Sequence, residues 1–110
     1  MIENTSKLLK IIYEKAKTVF GDKLKDVYLY GSYARGDFNE NSDIDFLITV
    51  DADNDEIDNS RQQISKISSR LSLEYDLTFS VTVKSLELFN RYSSILPYYQ
   101  NVLKEGIKYA

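Results

Sequence analysis

The chain has 110 residues, with 14 Lys and Arg against 17 Asp and Glu and a formal net charge of −3. That length fits one domain, and 43% hydrophobic residues are enough for one core, which argues against obligate disorder. With no Cys and no His, disulfides, Cys/His zinc sites, a thiol nucleophile and an imidazole base are excluded, leaving carboxylates, hydroxyls, Lys, Arg and an oxygen-bound hard metal ion.

Residues 5–20 read as an amphipathic helix capped by Thr5. Leu8, Leu9, Ile12, Ala16, Val19 and Phe20 recur at helical spacing, and Gly21 suits the stop. Residues 25–30, KDVYLY, are β-branched and aromatic and predict a strand closed by Gly31. Residues 31–43 hold two of the four glycines with Asn and Ser, so they form turns. Residues 44–50, IDFLITV, are nearly all apolar, which predicts a strand covered by helices on both faces.

The acidic stretch 51–60 leads into a helix with Ile57, Ile64, Ile67 and Leu71 on one stripe. Residues 75–83, YDLTFSVTV, alternate, with Leu77, Phe79, Val81 and Val83 on one face and Asp76, Thr78 and Ser80 on the other. Ser85 opens a short helix, Pro97 starts a last one ending at Gly106, and Ile107 to Tyr109 trail off without structure. No linker or repeat interrupts residues 1–110. The alternation predicts a single α/β (α+β) domain with a small mixed sheet flanked by helices.

No apolar run is long enough to cross a membrane, and the first ten residues lack the build of a signal peptide, so the cytoplasm is the expected location. The acidic balance disfavours a nucleic-acid partner.

The chemistry concentrates between Gly31 and Asp45. A strand ends at Tyr30, and Gly31-Ser32 then opens a helical turn whose backbone N–H groups and Ser hydroxyl suit a phosphate. Arg35, one turn on, adds a fixed positive charge. Asp43 and Asp45 stand at the head of the next strand, on one face and roughly 7 Å apart along it. Paired carboxylates beside a phosphate site are what Mg²⁺ requires. A Gly-Ser turn alone is most often a loop, and an Asp-x-Asp alone a solvated strand end or cap. Joined in this order, and opening a buried strand, they are far more specific.

Gly31-Ser32-x-Ala34-Arg35-Gly36, followed by Ser42-Asp43-x-Asp45 before an apolar strand, resembles the signature of the polymerase-beta-type nucleotidyltransferase superfamily. Within it the likeness is to the minimal nucleotidyltransferases, often paired with HEPN proteins as toxin–antitoxin systems. Leu103-Lys-Glu105-Gly106-Ile107 also resembles the close of such chains.

The resemblance implies transfer of a nucleoside monophosphate, AMP from ATP or its counterpart from another NTP, to a hydroxyl. Gly31, Ser32 and Arg35 then hold the nucleotide, and Asp43 and Asp45 bind two Mg²⁺ ions. It also implies a HEPN-family partner as acceptor and an antitoxin role, with oligomerisation left open. A third carboxylate belongs on the later strand. Counting back from the helix that follows puts Ser80 in its slot, whereas Asp76, on the same face, lies roughly 13 Å earlier. Both stay candidates, Asp76 as the third catalytic acid and Ser80 as its replacement.

That slot motivates one alternative, a degenerate transferase that neutralises its partner by contact; a second, less favoured alternative is a small-molecule transferase acting as a dimer. Two acidic runs, 51–55 and 37–41, begin like calcium loops but carry Glu56 and Ser42 where Gly is required. Tyr98-Tyr99 reads as packing ahead of base stacking. Self-modification of an exposed Tyr is conceivable, but the sequence selects none.

Overall fold

A computed structural model describes residues 5–109; Met1 to Asn4, part of the segment read for a leader, and Ala110 lie outside the described residues. Helix α1 (Thr5–Phe20) buries Leu8, Leu9, Ile12 and Ala16 along one stripe, as its periodicity predicts. A 3₁₀ turn at Gly21–Lys23 follows, then β1 (Leu24–Tyr30), the short α2 (Ser32–Arg35), β2 (Ile44–Val50), α3 (Asn54–Tyr75) and β3 (Phe79–Ser85). The chain closes with α4 (Leu86–Tyr92), α5 (Pro97–Glu105) and β4 (Ile107–Lys108).

The four strands form one mixed sheet in the order β3-β2-β1-β4. β1 runs antiparallel to β2 and β4, and β3 runs parallel to β2. The parallel pair needs a crossover, which α3 supplies. β2 is therefore interior, and its burial of Ile44, Phe46, Leu47, Ile48 and Val50 answers the unbroken apolar run.

Strand parity divides the core between two faces. Val27, Leu29, Ile44, Phe46, Ile48, Val50 and Phe79 pack with α1 and with Ile57 and Leu71 of α3. Tyr28 and Leu47 pack on the other face with Phe89 of α4 and Tyr99 and Val102 of α5. The two helix layers thus cover the sheet from both sides.

Two expectations change. Residues 75–78 are not strand: α3 runs to Tyr75, Asp76 caps it with left-handed backbone (φ 53°, ψ 43°), and β3 begins only at Phe79. The helix persists because Tyr75 continues the Leu71 stripe at the next turn, so helical spacing competes with the alternation and wins. Ile107–Lys108 does not trail off but pairs with Leu29 and Tyr28 of β1. Gly106 permits that return: a Cβ there would meet the Val102 carbonyl oxygen at 2.2 Å and the Leu29 carbonyl oxygen at 3.3 Å.

The acidic 51–60 stretch serves the fold. Asp53 caps α3, its side chain accepting from the Glu56 N–H at 2.9 Å, and Asp55 and Glu56 lie in the first turn, where the helix dipole favours them. In the 37–41 run, Asn39 Oδ1 accepts from the Asn41 N–H at 2.8 Å, an Asx turn.

Candidate active site

β1 ends at Tyr30, and the backbone turns at Gly31 with φ 76° and ψ −155°, a region open to glycine and costly for any other residue. The turn releases α2. The Gly31 carbonyl accepts from the Ala34 and Arg35 N–H groups, both at 3.1 Å, which leaves the Ser32 and Tyr33 N–H groups without an acceptor inside α2. Gly36 ends α2 in the left-handed region (φ 84°), its N–H donating to the Ser32 carbonyl at 2.9 Å. The loop after it folds back through Phe38, whose ring stacks on Tyr33 at 4.1 Å, and returns the chain to Asp43 and β2.

The ladders then place Tyr30 opposite Asp45 and Asp45 opposite Ser80. Directly paired residues share a face, so the three side chains stand in a row on the α4/α5 side of the sheet. Asp43 precedes Asp45 by two residues and is more exposed. The Gly31 Cα sits hard against this row: a Cβ there would lie 2.7 Å from Asp45 Oδ2. Glycine thus serves two needs at once, the positive φ and room for the carboxylate.

The electrostatics fit that crowding. Partial burial and the Asp43 charge push the Asp45 carboxyl above its ordinary range, while Arg35 pulls it back. Arg35 is itself held by two carboxylates, Asp37 at 3.1 Å and Glu105 of α5 at 3.2 Å. It ties the turn to the last helix. Tyr30 is pushed far above the usual phenol range by burial, by its hydrogen bond to Tyr98 and by the Asp45 charge, so it is a neutral hydrogen-bonding wall beside the carboxylate.

Asp76 lies apart from this row. It caps α3 ahead of β3, beside Asn41 and Leu77, and β3 enters the ladder only at Phe79, so Ser80 is the residue at Asp45's side. Among the described residues no three carboxylates converge as a metal-binding cluster. Sequence reading missed two partners: the Tyr98 hydroxyl, 2.9 Å from that of Tyr30, and Glu105 on Arg35. Glu105 carried a signal, since it belongs to the closing segment already singled out; Tyr98 looked like packing.

The pattern for a nucleotidyltransferase domain matches residues 6–109. The chain belongs to this nucleotidyltransferase domain family. Protein MJ0604 of Methanocaldococcus jannaschii, provisionally named a protein adenylyltransferase, is 36% identical over 103 residues, covering 94% of this chain and 95% of the relative. A solved mutant of the toxin-antitoxin MntA-HpeT superposes with TM-score 0.56 at 21% identity, covering 98% of this chain and 72% of that one. A toxin-antitoxin structure with AMP-PNP gives TM-score 0.56 at 22% identity, covering 90% and 69%. At such identity the solved structures establish a shared fold, the α+β arrangement described above. As a nucleotidyltransferase the chain is an enzyme of group transfer, with Gly31, the Asp43–Asp45 pair and Ser80 gathered at one end of its sheet.

Proposed function

We propose that this nucleotidyltransferase moves a nucleoside monophosphate, AMP from ATP, onto a hydroxyl of a separate protein. The observation that carries the reading is the juxtaposition of Asp45 with the Gly31 turn, where the missing Cβ leaves the carboxylate against the first turn of α2. Triphosphate and carboxylates need to meet at such a place, because phosphoryl-type transfer depends on positioning and charge stabilisation.

The donor set suits Mg²⁺, being oxygen-only with two carboxylates at the head of one strand. Asp43 and Asp45 would hold the metal, two ions being the expectation from the motif. Bound there, Mg²⁺ neutralises charge on the reacting phosphoryl group and on the departing pyrophosphate. The chain's own groups do the rest. Ser32 and the α2 backbone bind the triphosphate, Gly31 keeps its approach clear, and Arg35 fixes the turn through Asp37 and Glu105. Ser80 faces Asp45 with a hydroxyl where the family pattern has an acid, which weakens the ligand set on the acceptor side. Asp76 supplies no such ligand in this reading.

Support for a protein acceptor comes from the adenylyltransferase name of MJ0604 and from the toxin-antitoxin context of the MntA-HpeT neighbour. The acceptor we propose is a HEPN-family partner, met in the cytoplasm, with no nucleic acid involved. Labelled ATP and Mg²⁺ should mark a HEPN protein encoded beside this chain and co-purified with it. Asp43→Asn and Asp45→Asn should each abolish the mark, and labelling that survives both changes refutes the assignment.

The position of Ser80 favours one other reading, a partner-neutralising module with little transfer. Tight complex formation without labelling, unchanged by Ser80→Asp, would select it. Labelling of the partner by the wild-type chain would select the enzyme.

A further inference from the structure

The Tyr98 hydroxyl lies 2.9 Å from the Tyr30 hydroxyl, with the two rings edge-on at 5.5 Å between centroids. Tyr30 is the ladder neighbour of Asp45, whose charge bears on its phenol. Tyr98 therefore brings a hydroxyl from α5 onto the residue paired with Asp45, and it remains 38% exposed there. Its neighbour Tyr99 is buried, its ring against Phe89 at 5.1 Å and against Tyr98 at 5.5 Å.

The remaining tyrosines do not share this position. Tyr13 and Tyr109 stack on each other on the α1 side, and Tyr33 is buried against Phe38. Tyr28 is buried beneath Phe89, and Tyr75 packs near Phe79 at the end of α3. Tyr92 is exposed, but it is Tyr98 that bonds the residue beside Asp45. Exposure and connection to the site coincide at Tyr98.

We propose that Tyr98 is an internal acceptor: given a nucleoside triphosphate and a divalent cation, the chain transfers a nucleoside monophosphate to its own Tyr98 hydroxyl. This rests on the nucleotidyl transfer proposed above and extends it to a target within the chain. A bond forms between Tyr98 Oη and the α-phosphorus, and the bond from that phosphorus to the bridging oxygen of the β-phosphate breaks. Pyrophosphate leaves with the electron pair, and the phenolic proton passes to solvent. The product is a tyrosyl phosphodiester, one per chain, formed at the cost of the Tyr98–Tyr30 hydrogen bond. Pro97 starts α5 just ahead of Tyr98, so the acceptor stands at a helix entry and not in the middle of a packed helix.

The test uses the purified chain with Mg·ATP, followed by intact mass and peptide mapping. The expected result is a gain of one AMP per chain, located on Tyr98, lost in Tyr98→Phe and kept in Tyr92→Phe. Because donor site and acceptor share one chain, the first-order rate should not change on dilution of the protein. Calorimetry should show that Tyr98→Phe still binds Mg·ATP, which separates loss of the acceptor from loss of the fold. An unmodified wild-type chain that binds Mg·ATP would overturn the proposal while leaving the transfer reading intact. A label on another residue, or a rate that scales with protein concentration, would overturn it as well. Absence of Mg·ATP binding would overturn both.

Discussion

Replacing Gly31 by Ala perturbs two things whose sizes can be separated. The first is backbone strain, since φ 76° with ψ −155° is a region that costs an L-residue about 1–3 kcal/mol. At roughly 4 °C per kcal/mol for a domain of this size, Tm should fall by about 4–12 °C. The second is a collision: the new Cβ would lie 2.7 Å from Asp45 Oδ2, so the carboxylate must retreat by about 0.7 Å to reach the 3.4 Å of ordinary contact. Misplacement near 1 Å costs on the order of 10²-fold in rate when positioning carries the catalysis.

Gly36→Ala is the matched control. Gly36 also has positive φ, 84°, but a Cβ there meets nothing within 4 Å, so it suffers strain of about 1–2 kcal/mol and no collision. Thermal unfolding should show both variants destabilised. Calorimetry with Mg·ATP and a transfer assay should separate them, with Gly31→Ala losing one to two orders of magnitude in transfer on the scale of that misplacement and Gly36→Ala little. Equal behaviour of the two variants in both assays would refute the claim that the Gly31 gap exists to seat Asp45.

Asp45→Asn should raise Tm at neutral pH even as it removes transfer. The folded pKa is raised, so the fold disfavours the charged carboxylate; the penalty is present above the folded value and fades as pH falls toward the unfolded one. The Tm gain should therefore shrink in acid, and a variant that is less stable than wild type at pH 7 would contradict the sign. Phe46→Ala removes a fully buried ring stacked 6.0 Å from Phe79 and should cost about 3–5 kcal/mol in a guanidinium titration. A cost near zero would mean the sheet core collapses around the gap. Arg35→Gln should scarcely move Tm, because exposed ion pairs stabilise little, yet it should weaken Mg·ATP binding by freeing the α2 turn.

Much of the fold was legible because its signals are local. The apolar run from Ile44 to Val50 could only be an interior strand, and Leu8, Leu9, Ile12 and Ala16 could only face a core. Residues 75–78 misled because Leu77 and Phe79 begin a period-2 pattern while Tyr75 still completes a helical one, and only the helix cap at Asp76 decides between them. Strand β4 escaped notice because two residues carry no pattern; it exists through its pairing with β1. The same divide runs through the site. Gly31, Ser32, Arg35, Asp43 and Asp45 stand within one contiguous motif, and Ser80 could be reached by counting along a strand. Tyr30 with Tyr98, and Arg35 with Glu105, join distant parts of the chain, and aromatic side chains in a small domain read first as core.

The mixed pairing of β2 carries a consequence for the order in which the site is assembled. The antiparallel β1–β2 ladder closes over only the 31–43 turn, so Tyr30 and Asp45 can meet early, at small loss of chain freedom. Ser80 arrives on β3, whose parallel pairing must wait for residues 51–78, α3 included, to cross over. The Tyr30–Asp45 part of the row thus belongs to a short-range unit and the Ser80 part to a long-range one. Destabilising α3 should therefore loosen the Ser80 side first and leave the Gly31–Asp45 contact among the last to open.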